Sequence, residues 1–192
     1  MVFVVIDGLD GSGKSTQAKK LVTRLRDDGC SVHIRFHPSD DCWAGVRARR
    51  YLLSEGRGAH LSSAIFYILD VIRSVMLSPW WRSDYVVFVR YLMGTAYLPT
   101  PLDSFAYAFF ASFLPRPRHK FFLDVSPEEA YRRILESREQ MEMFESPDQL
   151  RKVGGKALRL AMLHGWTIVD GNRDEDSVGS KILLEVTGSV HR

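Results

Sequence analysis

A glycine-rich segment near the start of the chain has the residue types and spacing of a phosphate-binding loop. It reads Gly8-Leu9-Asp10-Gly11-Ser12-Gly13-Lys14-Ser15 and matches the pattern G-x-x-x-x-G-K-[ST]. Glycines allow backbone N–H groups to turn toward phosphate oxygens, and the helix that follows directs the positive end of its dipole there. Lys14 would contact the β and γ phosphates, and the Ser15 hydroxyl would bind Mg²⁺. The segment therefore predicts a nucleoside triphosphate with Mg²⁺ as its ligand.

The predicted nucleotide-binding residues cover the loop and the first helical turn. They are Gly8, Asp10, Gly11, Ser12, Gly13, Lys14, Ser15 and Thr16. A glycine-rich turn without a ligand is the alternative, but it does not explain why the lysine and serine follow the last glycine at this spacing.

Apolar runs alternate with helical patterns along the chain, which is typical of βαβ units and a mainly parallel sheet. Strands are predicted at Val2–Ile6, Ser31–Arg35, Asp84–Val89, Lys120–Val125 and Trp166–Val169. Helices are predicted at Ser15–Arg26, Trp43–Glu55, Leu61–Leu77, Leu102–Leu114, Ser126–Ser137, Asp148–Leu163 and Asp176–Val186. We therefore expect an α/β, three-layer P-loop NTPase fold: a five-stranded, mainly parallel sheet flanked by helices, in one domain over residues 1–192.

Composition narrows the partners that this chain is expected to have. Its 192 residues include 26 basic and 23 acidic side chains, a net charge of +3, and 45% are hydrophobic. These values exclude disordered, collagen-like and disulfide-stapled classes, and the charge is too weak to predict a nucleic-acid partner. No apolar stretch reaches the roughly 18 residues of a membrane span, and Val2–Ile6 is too short for a signal sequence. We expect a cytoplasmic protein with two free thiols, Cys30 and Cys42.

The phosphate-binding loop alone does not distinguish a kinase from a GTPase, an ATPase motor or a helicase. A chain of 192 residues leaves little room for a motor module. The sequence also has no N-K-x-D motif for reading guanine. These two features favour a small-molecule kinase.

The loop and the segments after it resemble the thymidylate kinase family of nucleoside monophosphate kinases. The family's loop reads E/D-G-x-D-G-x-G-K-S/T, and residues 7–16 fit it. The resemblance implies transfer of the γ phosphate of ATP to the 5′-phosphate of dTMP, with Mg²⁺, in a homodimer packed through apolar helices such as Leu61–Leu77. It also places Asp10 near the acceptor sugar and phosphate, although a turn-forming aspartate is the alternative for that residue.

Further motifs carry the acceptor side of the resemblance. Residues 35–38 and 45–53 are similar to the R-E-P and G-x-x-I-R-x-x-L-L elements, although the R-E-P arginine position falls on Phe36. The implied acceptor-binding residues are Asp10, Pro38, Arg49, Phe66, Tyr67, Arg73, Arg90 and Tyr97. A solvated basic helix face is the alternative for Arg47 and Arg50, and an apolar core helix is the alternative for the aromatic pair.

Three positions depart from the family pattern on that same side. Val89 stands where the family has the acidic residue of D-R-Y/H, and Val71 stands where it has an arginine after Asp70. Leu98 occupies the place of a base-reading glutamine. A divergent nucleotide-binding paralogue, with an altered acceptor or without phosphoryl transfer, is therefore the alternative to a working dTMP kinase.

A charged segment after the fourth predicted strand resembles the family's lid, and we place the lid at about 138–152. Phe144-Glu145 fits the end of the lid motif, while Met143 replaces its arginine. Arg138 is the predicted catalytic arginine of the lid, with Arg133 second, and an exposed charged helix end is the alternative. The complete predicted catalytic set is Lys14, Asp10, Arg90 and Arg138.

Overall fold

A computed structural model of the chain describes residues 1–52, 57–137 and 146–188. Its strands are β1 Val2–Gly8, β2 Val32–Phe36, β3 Tyr85–Val89, β4 His119–Asp124 and β5 Thr167–Asp170. They form one sheet in the order β2-β3-β1-β4-β5, and each neighbouring pair in that order is parallel. The predicted α/β fold with a five-stranded parallel sheet is confirmed.

The described helices lie on both faces of this sheet. They are α1 Lys14–Asp27, α2 Trp43–Leu52, α3 Arg57–Leu77, α4 Leu102–Phe113, α5 Pro127–Ser137, α6 Pro147–Leu163 and α7 Glu175–Gly188. A short 3₁₀ helix, Met93–Tyr97, lies between β3 and α4. Within residues 1–52, 57–137 and 146–188, no helix combines the length and apolar character that crossing a membrane requires.

Strand β1 shows why the sheet must be covered on both sides. Phe3 and Val5 belong to one buried cluster, together with side chains of α3, α4 and α6. Val4 and Ile6 belong to a second cluster, which α1 and α7 complete. Successive side chains of a strand point to opposite faces, so a strand buried on both faces is an unbroken apolar run. This arrangement gives the three predicted layers.

Some element boundaries differ from the sequence predictions. Helix α3 begins at Arg57, four residues before the predicted Leu61, and it ends at the predicted Leu77. Residues 147–152 of the predicted lid form the first turns of α6, where Leu150 is buried in the core. Ser146 caps this helix, and the other predicted lid residues, 138–145, lie outside the described residues, as do residues 53–56 at the predicted end of α2.

Candidate active site

The phosphate-binding loop connects the end of β1 to the start of α1. Gly11 and Gly13 have φ angles of +76° and +87°, in the left-handed region that favours glycine. A Cβ at Gly11 would also overlap the carbonyl oxygen of Ala130 in α5. The loop is therefore wrapped around the N-terminal end of α1, where the helix offers unpaired backbone N–H groups to an anion.

Polar side chains of the loop surround this helix end. Lys14 is buried, and its Nζ donates to the Leu9 carbonyl at 2.5 Å. Among the described residues, the buried Ser12 Oγ has no hydrogen-bond partner. Ser15 and Thr16 are exposed on the first turn of α1. Lys14, Ser12 and Ser15 therefore all belong to the loop or to the first turn of α1, and a polyphosphate bound there would offer acceptors to their side chains.

Asp10 links the loop to the end of the central strand β3. Its carboxylate forms an ion pair with Arg90, lies 3.7 Å from Lys14 Nζ, and accepts a hydrogen bond from Tyr97 Oη at 3.1 Å. Arg90 follows β3 with φ of +63°, a left-handed conformation that costs a non-glycine residue about 1–2 kcal/mol. The structure thus brings together four predicted site residues from two segments that are far apart in the sequence.

Asp7 is a buried carboxyl beneath this group, and sequence reasoning did not select it as a site residue. It accepts hydrogen bonds from the backbone N–H of Tyr91 at 2.9 Å and of Gly8 at 3.0 Å. Burial raises the pKa of this carboxyl, while these hydrogen bonds and the nearby Lys14 oppose the rise. Asp7 lies directly after the predicted apolar strand and directly before the loop, and this position could have identified it as a site residue from the sequence.

A cavity of about 320 Å³ opens beside the loop and beneath α3 and α6. Asp10, Pro38, Tyr67, Arg90 and Tyr97 are the predicted acceptor residues that line it. The remaining lining includes Ile68, Met93, Leu98, Leu102, Val153 and Ala157. A cavity of this size, apolar except for a charged end at the loop, suits a small ligand with one anionic group.

Three other predicted acceptor residues, Phe66, Arg49 and Arg73, are not among the residues that line this cavity. Phe66 stacks on Tyr51 with ring centroids 5.6 Å apart and meets the edge of Trp43. Tyr67, its neighbour in α3, is the aromatic residue on the cavity side. The sequence left open whether Phe66 or Tyr67 contacts the ligand. In the structure Phe66 belongs to an aromatic cluster with Tyr51 and Trp43, and Tyr67 forms part of the cavity wall.

The side chains of Arg49, in α2, and Arg73, in α3, contact the loop between β2 and α2. Arg49 donates to the Pro38 carbonyl at 2.9 Å and forms an ion pair with Asp40. Arg73 lies 3.4 Å from Asp41, which is also held by Arg35 at 2.6 Å. Arg49 therefore lies behind a residue that lines the cavity, whereas Arg73 belongs to an ion-pair cluster on the outer side of the loop.

The three departures from the family pattern have different structural settings. Val89 is buried within β3 and pairs with Ile6 of β1 and Phe36 of β2. Val71 is part of the core. Leu98 lines the cavity, and its carbonyl accepts a hydrogen bond from Lys156 at 2.6 Å. The apolar residue at Leu98 therefore affects the ligand cavity directly, while the two valines pack in the interior.

Of the two arginines predicted as candidates for the catalytic arginine of the lid, Arg133 is the one within the described residues. Arg133 donates to Glu129 at 2.7 Å and to the Gly171 carbonyl at 3.1 Å. These contacts fix it between α5 and the turn after β5. Arg138, the first choice, lies outside the described residues together with Phe144 and Glu145.

Comparison with known proteins identifies the family to which this chain belongs. A family model described as thymidylate kinase matches residues 6–182, a range that contains the loop and every residue that lines the cavity. The chain belongs to the thymidylate kinase family. This membership confirms the predicted enzyme class, an ATP-dependent nucleoside monophosphate kinase.

Relatives of this thymidylate kinase family member are similar along most of their length. A protein named "Probable thymidylate kinase" from Pyrobaculum calidifontis is 28% identical over 189 residues, which are 95% of this chain and 94% of the relative. A thymidylate kinase from Xanthomonas oryzae pv. oryzae is 31% identical over 186 residues, 92% of this chain and 79% of the relative. The similarity therefore extends over both the loop and the acceptor-side elements.

Proposed function

We propose that this protein transfers the γ phosphate of ATP to the 5′-phosphate of dTMP, giving ADP and dTDP. The observation that carries the proposal is the position of Asp10, which is shared by the phosphate-binding loop and the cavity. Its carboxylate lies between Lys14 on the loop side and Arg90 on the cavity side. A donor at the loop and an acceptor in the cavity would therefore meet at this residue.

On the donor side, Lys14 and the loop N–H groups would bind the phosphates of ATP. The Ser12 hydroxyl, buried without a partner among the described residues, would bind a phosphate oxygen. On the acceptor side, Arg90 would hold the monophosphate, and Tyr67 and the apolar wall would contact the base. Transfer would then depend on positioning and electrostatic stabilisation, without a covalent intermediate.

Mg²⁺ would be held through the Ser15 hydroxyl, phosphate oxygens and water. The described part of the chain contains no cluster of three histidine, cysteine or acidic side chains that could hold a metal ion by itself. An exposed hydroxyl on the first turn of α1 fits Mg²⁺, which keeps several waters and binds mainly through substrate phosphates. When bound, the ion would neutralise charge on the transferring phosphoryl group.

Arg138 is our proposed catalytic arginine, supplied by the lid. The contacts of Arg133 with Glu129 and Gly171 support this choice, because they tie the second candidate to the adjacent turn. An arginine brought in by the lid would offset charge in the transition state, and the lid would exclude water that would otherwise hydrolyse ATP.

We further propose a cytoplasmic homodimer whose subunits meet through α3. The exposed apolar residues Ile65, Leu69, Met76 and Leu77 all lie on this helix. Burying such side chains against a second copy is favourable at about 25 cal/mol per Å² of apolar surface. Its partners would otherwise be small nucleotides, with no nucleic-acid or membrane partner.

The deciding experiment measures ADP formation with Mg-ATP and each of dTMP, dUMP, UMP, dCMP, CMP, AMP, GMP and thymidine. We expect turnover with dTMP, its loss when EDTA removes Mg²⁺, and at least a 100-fold lower kcat in Lys14→Met, in line with losing one charge-stabilising group. Preference for another acceptor would replace dTMP in the proposal. ATP binding without turnover of any acceptor would contradict it and support the non-transferring paralogue.

A further inference from the structure

The backbone of Arg90 is held in an uncommon conformation at the point where β3 ends. Its φ of +63° turns the chain out of the sheet and directs the guanidinium toward Asp10. A non-glycine residue stays in this region only where its surroundings hold it there. The groups that bind the peptide between Arg90 and Tyr91 therefore determine where this arginine lies.

Two side chains bind that peptide from opposite sides. Asp7, at the end of β1, accepts the Tyr91 N–H at 2.9 Å. His37, directly after β2, has its Nδ1 2.8 Å from the Arg90 carbonyl oxygen. The backbone N–H of His37 also donates to the Val89 carbonyl at 3.1 Å. One residue thus satisfies two successive carbonyls at the exit of β3.

The contact with the carbonyl shows which ring nitrogen of His37 carries a proton. A carbonyl oxygen can only accept a hydrogen bond, so the proton must be on Nδ1. Burial lowers the pKa of His37, which keeps the ring neutral. Nε2 is then left as an acceptor, and among the described residues it has no hydrogen-bond partner. The ring packs edge-on against Phe88, 5.1 Å between centroids, and is nearly inaccessible to solvent.

We infer that His37 is a positioning residue for phosphoryl transfer: its Nδ1–H holds the Arg90 carbonyl so that the Arg90 guanidinium meets the acceptor phosphate. This inference rests on the proposed function for the role of Arg90, but not for the hydrogen bond itself. Without the Nδ1–H donor, the Arg90 carbonyl would lose this partner, and the Arg90–Tyr91 peptide would be held by Asp7 alone and could turn about that contact. The guanidinium would then move away from Asp10 and from the acceptor.

The first test examines the hydrogen bond and needs no substrate. The full-length protein, labelled with ¹⁵N-histidine, is measured by long-range ¹H–¹⁵N spectroscopy, with His37→Asn used to assign the resonances. We expect a neutral His37 with its proton on Nδ1. A ring without a proton on Nδ1 would overturn the inference whatever the activity of the enzyme.

The second test uses two variants of similar polarity that place their donor differently. In His37→Asn the amide nitrogen lies near the position of Nδ1, whereas in His37→Gln it lies near that of Nε2. We expect His37→Asn to keep the KM for dTMP within about threefold of wild type. His37→Gln should lose about 100-fold in kcat/KM for dTMP, because small displacements of a positioning contact have effects of this order.

Three controls separate positioning from a loss of structure and from failure of the proposed function. The KM for ATP and the melting temperature should be similar in the two variants, and His119→Gln should leave the KM for dTMP unchanged, since His119 lies at the opposite end of the sheet. Equal kcat/KM in the two variants, or a smaller loss in His37→Gln, would overturn the inference. If wild type does not turn over dTMP, calorimetry measures the affinity for dTMP instead. His37→Gln must then bind dTMP more weakly than His37→Asn, and equal affinities would overturn the inference.

Discussion

Asp10 determines the charge balance of the site because it is a nearly buried carboxylate between two cations. Arg90 and Lys14 lie on either side of it, and Tyr97 donates to its second oxygen. Removing one partner of a buried ion pair leaves the other charge uncompensated, which costs more than the pair itself contributes. At the scale of single residues, we therefore expect the Asp10 carboxylate to contribute both to stability and to phosphoryl transfer.

The substitution Asp10→Asn tests this dependence. We expect kcat/KM for dTMP to fall about 100-fold, because Arg90 loses the group that orients it. The free energy of unfolding should fall by about 1–3 kcal/mol, measured by urea denaturation. Tyr97→Phe is the control, since it removes a single hydroxyl donor to the same carboxylate and should cost about 1 kcal/mol. An Asp10→Asn protein with wild-type stability and activity would contradict this assignment.

At the scale of elements, the cavity depends on how closely the 3₁₀ helix Met93–Tyr97 approaches α3. Gly94 permits that approach, because a Cβ there would overlap the ring of Tyr67. Tyr67 is itself held by a hydrogen bond from its Oη to the Tyr91 carbonyl at 3.0 Å. The position of Tyr67 in the cavity wall therefore depends on the packing of the 3₁₀ helix against α3.

Gly94→Ala should push the Tyr67 ring into the cavity. We expect the KM for dTMP to rise at least 10-fold while the KM for ATP stays within about twofold, since a misplaced positioning group can cost up to about 100-fold. Gly155→Ala is a matched control because nothing lies within 4 Å of a Cβ at that position in α6. That control should be neutral or stabilise the protein by up to about 1 kcal/mol. An unchanged KM for dTMP in Gly94→Ala would disprove the close approach.

Helix α5 offers a pH-dependent test of its own. Hydrogen bonds from Arg132 and Arg133 lower the pKa of Glu129 to about 2, from an ordinary value of 4.5. A carboxyl whose pKa is lowered by folding stabilises the protein above its unfolded pKa, and the contribution disappears as pH falls through the folded pKa. We expect wild type to be more stable than Glu129→Gln at pH 7, with the difference shrinking between about pH 4.5 and 2. Urea denaturation across this range measures it, and a constant difference would be inconsistent with the ion pairs.

At the scale of the whole molecule, α3 serves two surfaces. Tyr67 and Ile68 face the cavity, whereas Ile65, Leu69 and Met76 are exposed. A two-fold interface uses the same patch on both subunits, so each substitution in it counts twice. The proposed dimer would therefore pack directly behind the acceptor site.

Leu69→Arg should convert the dimer to a monomer in sedimentation velocity. An arginine at the interface would face its own copy near the two-fold axis, and the apolar burial of about 1.5–3 kcal/mol per leucine side chain would be lost from both subunits. Leu184→Arg is the control, because Leu184 is also an exposed leucine but lies on α7, which covers the opposite face of the sheet. A wild-type monomer, or a dimer unaffected by Leu69→Arg, would rule out this interface.

The sequence by itself determined the sheet, its flanking helices and the phosphate-binding loop, because each is encoded by neighbouring residues. Strands buried on both faces are continuous apolar runs, and the loop needs its glycines, lysine and serine in one short segment. The helix boundaries differed from the predictions by a few residues because helix ends also depend on contacts with the rest of the chain.

Only the tertiary structure decided which side chains meet. Asp10 and Arg90 are 80 residues apart and Asp10 and Tyr97 are 87 apart, yet they share one hydrogen-bonded group. The sequence could not choose between Phe66 and Tyr67, because consecutive residues of a helix point about 100° apart and only the packing of α3 shows which direction is the cavity. His37 and Asp7 come together at Arg90 because parallel strands bring their carboxyl ends to one edge of the sheet, whatever their separation along the chain.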